Sequence, residues 1–330
     1  MSARVLVSGA SGFVGSAVAR ALLRHCYAVR ALARPASDTA NLDGLDVEIV
    51  RGDLLDPPSL ERALAGCEGL FHVAADYRLW ARDPREIGKA NVRGTHHILL
   101  AAQRCGVRRV VHTSSVATLG LRVDGTPADE ETPARLADMI GAYKRSKFLS
   151  EALARRCAGA GRDIVIVNPS APVGPRDRKP TPTGRTILDA ARGRMPAYVD
   201  TGLDIVHVDD VAEGHVLAYE HGQRGRRYVL GGENMSLREI LQTVAALAGR
   251  HGPWLKLPHG VVLPVAHAAE AWARVTGTAP GITVDGVKLA RHHMYFSSRR
   301  AETELGYRAR PAREALADAI QWFRDNGYCD

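Results

Sequence analysis

Apolar positions along the chain follow two alternating rhythms. Short runs of branched, apolar residues recur, and between them lie longer stretches with apolar residues three and four apart, the spacing of one helix face. The first run, Arg4 to Ser8 (RVLVS), predicts a buried strand and leads into the helical pattern SAVARALLRH. Further strand-like runs fall at Ala28–Ala33 (AVRALA), 47–53 (VEIVRGD), Gly69–Val73, 108–115 (RRVVHTSS), 163–170 (DIVIVNPS) and 226–232 (RRYVLGG). Helical patterns such as LERALAGC, NVRGTHHILLAAQRC (91–105) and GAYKRSKFLSEAL stand between them. Strands alternating with helices predict an α/β fold built on a doubly wound parallel sheet.

The chemistry-bearing residues fall where those strands end, which is where an open parallel sheet holds its ligands. The first strand runs into Gly9-Ala-Ser-Gly12-Phe-Val-Gly15. Strand, glycine turn and helix together form a site where backbone can approach a pyrophosphate at a helix N-terminus. Gly9, Ser11, Gly12, Phe13, Val14 and Gly15 are therefore candidate contacts of a dinucleotide in a Rossmann-type domain. The second strand ends at Arg34, with Arg30 and Ser37 nearby, where an acidic residue would hold a free ribose. An arginine suits a 2′-phosphate, so NADP(H) is preferred and NAD(H) is the alternative. Asp53 and Leu54 end the third strand on the expected adenine side, and Ala74 and Ala75 keep the chain small beside the dinucleotide.

Tyr143 and Lys147 share a helix face, and a cation held beside a phenol lowers its pKa and favours proton transfer. Ser115, at the end of the fifth strand, supplies a hydroxyl for the same substrate oxygen, while Lys147 would reach the nicotinamide ribose. Candidate substrate contacts are Asp76, Tyr77 and Trp80 in the loop after strand four, and Asn168, Lys179 and Arg185 around and after strand six. His207-Val-Asp209-Asp210 reads as a strand end and a capped helix, so both aspartates are taken as structural.

Composition narrows the function classes. The 330 residues, 45% hydrophobic and 24% charged, suit one large or two closely joined globular units. The net charge of +8 is scattered rather than blocked, which argues against nucleic acid as a partner. Five widely spaced cysteines offer no metal-ligand spacing and point to reduced thiols in a cytoplasmic protein. No metal is expected. The most apolar segment, 260–275, is too short to span a bilayer and is interrupted by Pro264, His267, Glu270 and Arg274. It is expected to pack as a core helix, with membrane contact at most peripheral.

Taken together, Gly9-x-x-Gly12-x-x-Gly15, Asp53-Leu54, Ala74-Ala75, Asn91, Ser115, Tyr143-x-x-x-Lys147, Pro169 and His207-Val-Asp209-Asp210 resemble the extended short-chain dehydrogenase/reductases over nearly the whole chain. The segments HVAADYRLWARDP, TSSVATLGLRVDGTPADE, NPSAPVGPRDRKPTPTGR and GRMPAYVDTGLDIVHVDDVA are similar to the hopanoid-associated sugar epimerases, relatives of dihydroflavonol reductases. The resemblance implies a Ser115/Tyr143/Lys147 catalytic centre and a nicotinamide cofactor, with Pro169 among its contacts. It implies a cofactor domain of 1–170 plus 206–232 and a smaller, discontinuous substrate domain of 171–205 plus 233–330. A homodimer formed through the helices at 91–105 and 143–157 is also implied. Arg34 and Asn168 depart from the nucleotide-sugar epimerase pattern, whereas Arg299 and Arg300 lie where such enzymes clamp a pyrophosphate. The expected activity is reversible hydride transfer to a small-molecule ketone, hopanoid-linked or sugar-like. Epimerisation is the alternative, and a non-catalytic dinucleotide sensor the minor one.

Overall fold

The computed structural model describes residues 3–78, 80–81, 83–122, 124–278 and 280–329; Leu79, in the predicted substrate loop, lies outside them. In chain order the elements are β1 (Arg4–Ser8), α1 (Phe13–Arg24), β2 (Ala28–Ala33), β3 (Val47–Arg51), α2 (Pro57–Leu64), β4 (Gly69–His72), α3 (Arg85–Gly88), α4 (Gly94–Arg104) and β5 (Arg109–Thr113). They continue with α5 (Gly141–Gly159), β6 (Ile164–Pro169), β7 (Ala171–Val173), α6 (Pro182–Ala191), β8 (Ala197–Tyr198), β9 (Gly202–His207), α7 (Val208–His221) and β10 (Arg227–Leu230). The C-terminal part holds β11 (Glu233–Ser236), α8 (Leu237–Ala248), β12 (Leu255–Lys256), α9 (His259–Thr276), α10 (Val284–Leu289), β13 (His293–Met294), α11 (Arg299–Leu305) and α12 (Ala312–Asp325).

Seven strands form one sheet in the order β10-β6-β5-β4-β1-β2-β3, and every pairing is parallel. The order reverses direction between β1 and β4, the crevice where such sheets bind ligands. Apolar side chains cover both faces: Val5, Val7 and Phe71 pack with α1 and α7, whereas Leu6, Leu70 and Ile166 pack with α2, α4 and α5. That two-sided burial explains why the strands read as continuous apolar runs.

A second sheet is centred on β9, which pairs with β7, β11 and β13. Its core joins α6, α8 and α12 through Ile187, Ile240, Leu241, Leu316 and Phe323. The chain then returns to the larger sheet, because Ala301, Leu305 and Tyr307 are buried in the core shared by β1, α1 and α7. The stretch 299–307, assigned by sequence to the smaller domain, thus packs with the larger one. The α9 helix departs from its expected role as a core helix: only Val262, Ala266 and Ala273 are buried.

Three histidines lie wholly inside the larger unit. His72 bonds Ser8 at 2.8 Å and Thr95 at 3.0 Å, and His215 bonds Thr113 and Val211. The His112 ring lies 5.4 Å from that of His72, and neither of its nitrogens has a partner. Burial lowers the pKa of His72 from 6.5 to about 3, that of His215 to about 4 and that of His112 well below 6.5. Below pH 6.5 the unfolded chain takes up protons that the folded chain refuses, so stability falls as pH falls through that range. Each such group contributes a slope of about 1.4 kcal/mol per pH unit. Replacing His112 by Leu also removes two buried unpaired polar atoms. His112→Leu should therefore be more stable than wild type at pH 5 and show a shallower acid slope. Guanidinium denaturation across pH 4 to 7 measures both.

Candidate active site

The glycine turn is fixed by two close approaches. Gly9 has φ +71°, and a Cβ there would lie 2.7 Å from the Cα of Ala74, at the end of neighbouring β4. A Cβ on Gly15 would collide with the Gly9 carbonyl. Gly12 caps α1 without any side-chain acceptor, which leaves the first-turn N–H groups for an anion. The cradle therefore fits a dinucleotide pyrophosphate. Ser11, Phe13 and Val14 lie in this turn and first helical turn, and Asn41 donates to the Ser11 carbonyl and to that of Arg176, bracing the turn from outside.

Around this turn the other predicted contacts divide. Arg34 is exposed directly after β2; burial raises the Asp76 carboxyl, but the Arg78 guanidinium, with Arg34 as a smaller influence, holds it below its ordinary range. Arg30 is not a cofactor residue: it is buried, paired with Glu48 and bonded to the carbonyls of Ala63 and Ala65. Asp53 accepts the Leu55 N–H at 2.8 Å, and the Leu54 carbonyl bonds His97. Ala75 follows Ala74 beyond β4, and Pro169 ends β6 beside Leu230.

Tyr143 and Lys147 lie in the first two turns of α5, and Ser115 caps the short turn after β5, its Oγ accepting from Ala117. The Ser115 hydroxyl interacts with the Tyr143 phenol and lowers its pKa, but burial outweighs this and raises the phenol above 10. The expected lowering by Lys147 is thus not seen, burial being the larger influence. Lys147 is only 3% exposed, and its Nζ donates to the Thr113 carbonyl at 2.7 Å. Burial lowers its pKa to about 8, so it remains mostly a cation at neutral pH.

Behind these three residues stands a group that spacing did not single out. Glu151, one helical turn beyond Lys147 and 4% exposed, accepts from Ser114 (2.5 Å), Thr118 (2.7 Å) and Asn168 (2.8 Å) through one oxygen. Its other oxygen accepts from Arg227 at 3.3 Å. Asn168 donates onward to the Ser115 carbonyl at 3.0 Å, and that carbonyl, 2.8 Å from the Thr118 hydroxyl, shares its single proton with Glu151. Asn168, fully buried, accordingly supports Ser115 from behind instead of facing substrate.

The remaining predicted substrate residues lie on one side. The helical run from α3 to α4 contains a widened π-turn at Lys89–Arg93, a feature often found at functional sites. It carries Asn91, which holds the backbone of Asp76 through both amide atoms and also donates to Ser146. Asp76 pairs with Arg78 at 2.6 Å, Trp80 is half-buried, and the exposed Tyr77 donates to the Lys179 carbonyl at 3.4 Å. Lys179 and Arg185 are exposed. Asp209 and Asp210 are structural, pairing with Arg176 and Arg310, although His207 rather than an aspartate caps α7. Arg300 is committed to Glu130 and Glu131, which does not suit a pyrophosphate clamp.

Two outcomes follow for the site. Tyr143→Phe should cut turnover by about two to four powers of ten while leaving cofactor affinity within about threefold of wild type. Glu151→Ala removes the acceptor of four donors, Ser114, Thr118, Asn168 and Arg227, and should cost about 3–5 kcal/mol of stability, whereas Glu151→Gln keeps the oxygen for Ser114 and Thr118 and recovers much of it. Steady-state rates, cofactor titration and denaturant midpoints on the same preparations measure these effects.

Residues 5–231 match the NAD dependent epimerase/dehydratase family. The chain is 45% identical over 326 residues to a protein of Synechocystis sp. provisionally named dihydroflavonol 4-reductase, covering 98% of this chain and 95% of that one. It is 39% identical over 324 residues to sterol demethylase protein B of Methylococcus capsulatus, covering 98% of both. Among solved structures, gox2253 superposes with a TM-score of 0.90 at 50% identity, with both chains covered in full. With its seven-stranded parallel sheet and glycine turn, the chain belongs to the NAD dependent epimerase/dehydratase family, the extended short-chain dehydrogenase/reductases, and is a nicotinamide-dependent enzyme.

Proposed function

We propose that the chain is an NADPH-dependent ketone reductase acting on a hydrophobic, hydroxylated polycyclic or isoprenoid substrate, of the kind a hopanoid side-chain pathway supplies. The observation that carries this reading is the cluster of Ser115, Tyr143 and Lys147 at the β5–α5 junction, with the Tyr143 phenol beside the Ser115 hydroxyl and the Lys147 ammonium anchored on the Thr113 carbonyl. A reduction needs an acid at the carbonyl oxygen, and a neutral phenol is that acid.

The bound nicotinamide would supply the hydride. Gly9, Gly12 and Gly15 would hold the pyrophosphate, with Asp53, Ala74, Ala75 and Pro169 along the dinucleotide. Ser115 donates to the substrate oxygen and orients it, and Tyr143 delivers its proton as negative charge develops there. The Lys147 cation stabilises the phenolate left behind. The carbonyl of Thr113, 2.7 Å from Nζ, fixes where that charge sits.

Arg34 supports NADPH, because β2 ends in an exposed guanidinium with no carboxylate in its place. A 2′-phosphate would find a bidentate partner there. The sterol demethylase relative supports an apolar polycyclic substrate, as does the departure of Arg300 from a clamp role. The exposed Leu100 on α4 and Leu149 on α5 support self-association through those helices. Asp76, Tyr77, Trp80, Lys179 and Arg185 would set substrate choice.

Dissociation constants read by nucleotide fluorescence should favour NADPH over NADH by about tenfold or more, and Arg34→Ala should remove about 1.5–3 kcal/mol of NADPH binding. Equal affinities would overturn the cofactor assignment. A panel of cyclic and prenylated ketones should consume NADPH stoichiometrically with alcohol formed. Isomerisation without net cofactor change would establish the epimerase reading.

A further inference from the structure

We propose that the outward face of α9 docks the protein on an anionic phospholipid bilayer, at the mouth of the active site. The helix carries two apolar faces. Val262, Ala266 and Ala273 point into the protein, and about 100° around the axis run Val261, Val265, Ala268, Trp272 and Val275. That second stripe is open to solvent: Val261 is 58% exposed, Val265 57%, Trp272 69% and Val275 81%. From Val261 to Val275 it extends about 21 Å. Trp254, just before β12, is 79% exposed, so two indoles stand free in this segment. Single exposed apolar residues are ordinary, but a contiguous stripe with tryptophans marks an interaction surface.

Charge selects the partner. Residues 249–293 hold Arg250, Lys256, Arg274, Lys288 and Arg291, all exposed, against Glu270 and Asp285 alone. Neither acidic side chain is exposed: Glu270 accepts the Val284 N–H at 2.7 Å through one oxygen while its other lies 3.8 Å from the exposed Arg274 guanidinium, and Asp285 lies against Gly141. Asp200, from outside the segment, pairs with Lys256 at 2.9 Å. Among the described residues no helix is long and apolar enough to cross a membrane. An apolar stripe with tryptophans and a cationic border lies in the plane of a lipid surface, its affinity set by buried area and by attraction to anionic headgroups.

The position of α9 connects this surface to the chemistry. The Val284–Glu270 bond ties α9 to α10, and a Cβ at Gly141 would lie 2.6 Å from the Asp285 carboxylate. Gly141 precedes Tyr143 by two residues at the start of α5. A bilayer under α9 would therefore present an apolar substrate beside the catalytic tyrosine without passage through water. The docking surface does not depend on which ketone is reduced.

The experiment uses the full chain with vesicles of phosphatidylcholine alone, and of phosphatidylcholine with about a third phosphatidylglycerol, a composition that gives the surface potential anionic lipid provides. Wild type should float with the anionic vesicles, release at high salt and show a blue-shifted tryptophan emission. The double variant Val265→Asp/Trp272→Ser should lose about tenfold in vesicle partition, with an unchanged melting curve and NADPH affinity. Two charge reversals, Arg274→Glu and Lys288→Glu, should weaken binding to the anionic vesicles in folded protein that keeps its apolar stripe. Wild type that floats with neither vesicle, or a folded double variant that floats as well as wild type, would overturn the proposal. So would a double variant that falls from dimer to monomer with vesicle binding unaltered, which would assign the face to a second copy of the chain. Vesicle binding is read without turnover, so its failure and that of the reductase reading are separate results.

Discussion

A single buried cation, Lys147, sets the terms for the active site. Carrying an ammonium into a protein interior is costly unless it is solvated by other means, and here the Thr113 carbonyl at 2.7 Å and the Glu151 carboxylate one turn away meet that demand. Thr113 ends β5 and Lys147 lies on α5, so the cation joins the strand that delivers Ser115 to the helix that delivers Tyr143. The site is therefore a property of sheet and helix packing, not of a loop. Its geometry holds only while the β5–α5 contact holds.

Glu151 gives that arrangement its rigidity. One carboxylate gathers Ser114, Thr118 and Asn168, and two of those three in turn hold the Ser115 carbonyl. A buried network of this kind, in which only the Asn168 Oδ1 lacks a partner, holds the backbone around Ser115 in one arrangement, which proton transfer requires. The same packing that makes the network strong also half-buries Tyr143 and pushes its phenol pKa up. Structure and chemistry share one cause, desolvation at the β5–α5 junction.

Much of this was legible in the sequence because it depends on local pattern. Strand runs, the glycine turn and the four-residue spacing of Tyr143 and Lys147 are short-range features, and the parallel sheet followed from their alternation. What stayed hidden depends on partners far apart in the chain. The role of Glu151 needs Ser114, Thr118, Asn168 and Arg227, separated from it by 37, 33, 17 and 76 positions. Asn168 read as a substrate contact because a strand end is where substrate contacts lie, yet its side chain turns toward Ser115. Arg300 read as lying where a pyrophosphate is clamped, but it has carboxylate partners, Glu130 and Glu131, inside the protein. A helix with apolar residues all round reads as buried, which is why the open face of α9 could not be told from its inner one.

The proton of Tyr143 is the group through which the proposed chemistry passes. Ultraviolet difference titration of wild type against Tyr143→Phe isolates this phenol from the eight other tyrosines. Burial without a compensating charge predicts that the missing component titrates above pH 10, leaving the two curves superimposed through the neutral range. A component that titrates well below pH 10 in wild type and vanishes in the variant would show a phenolate near working pH and contradict burial as the dominant influence on this residue.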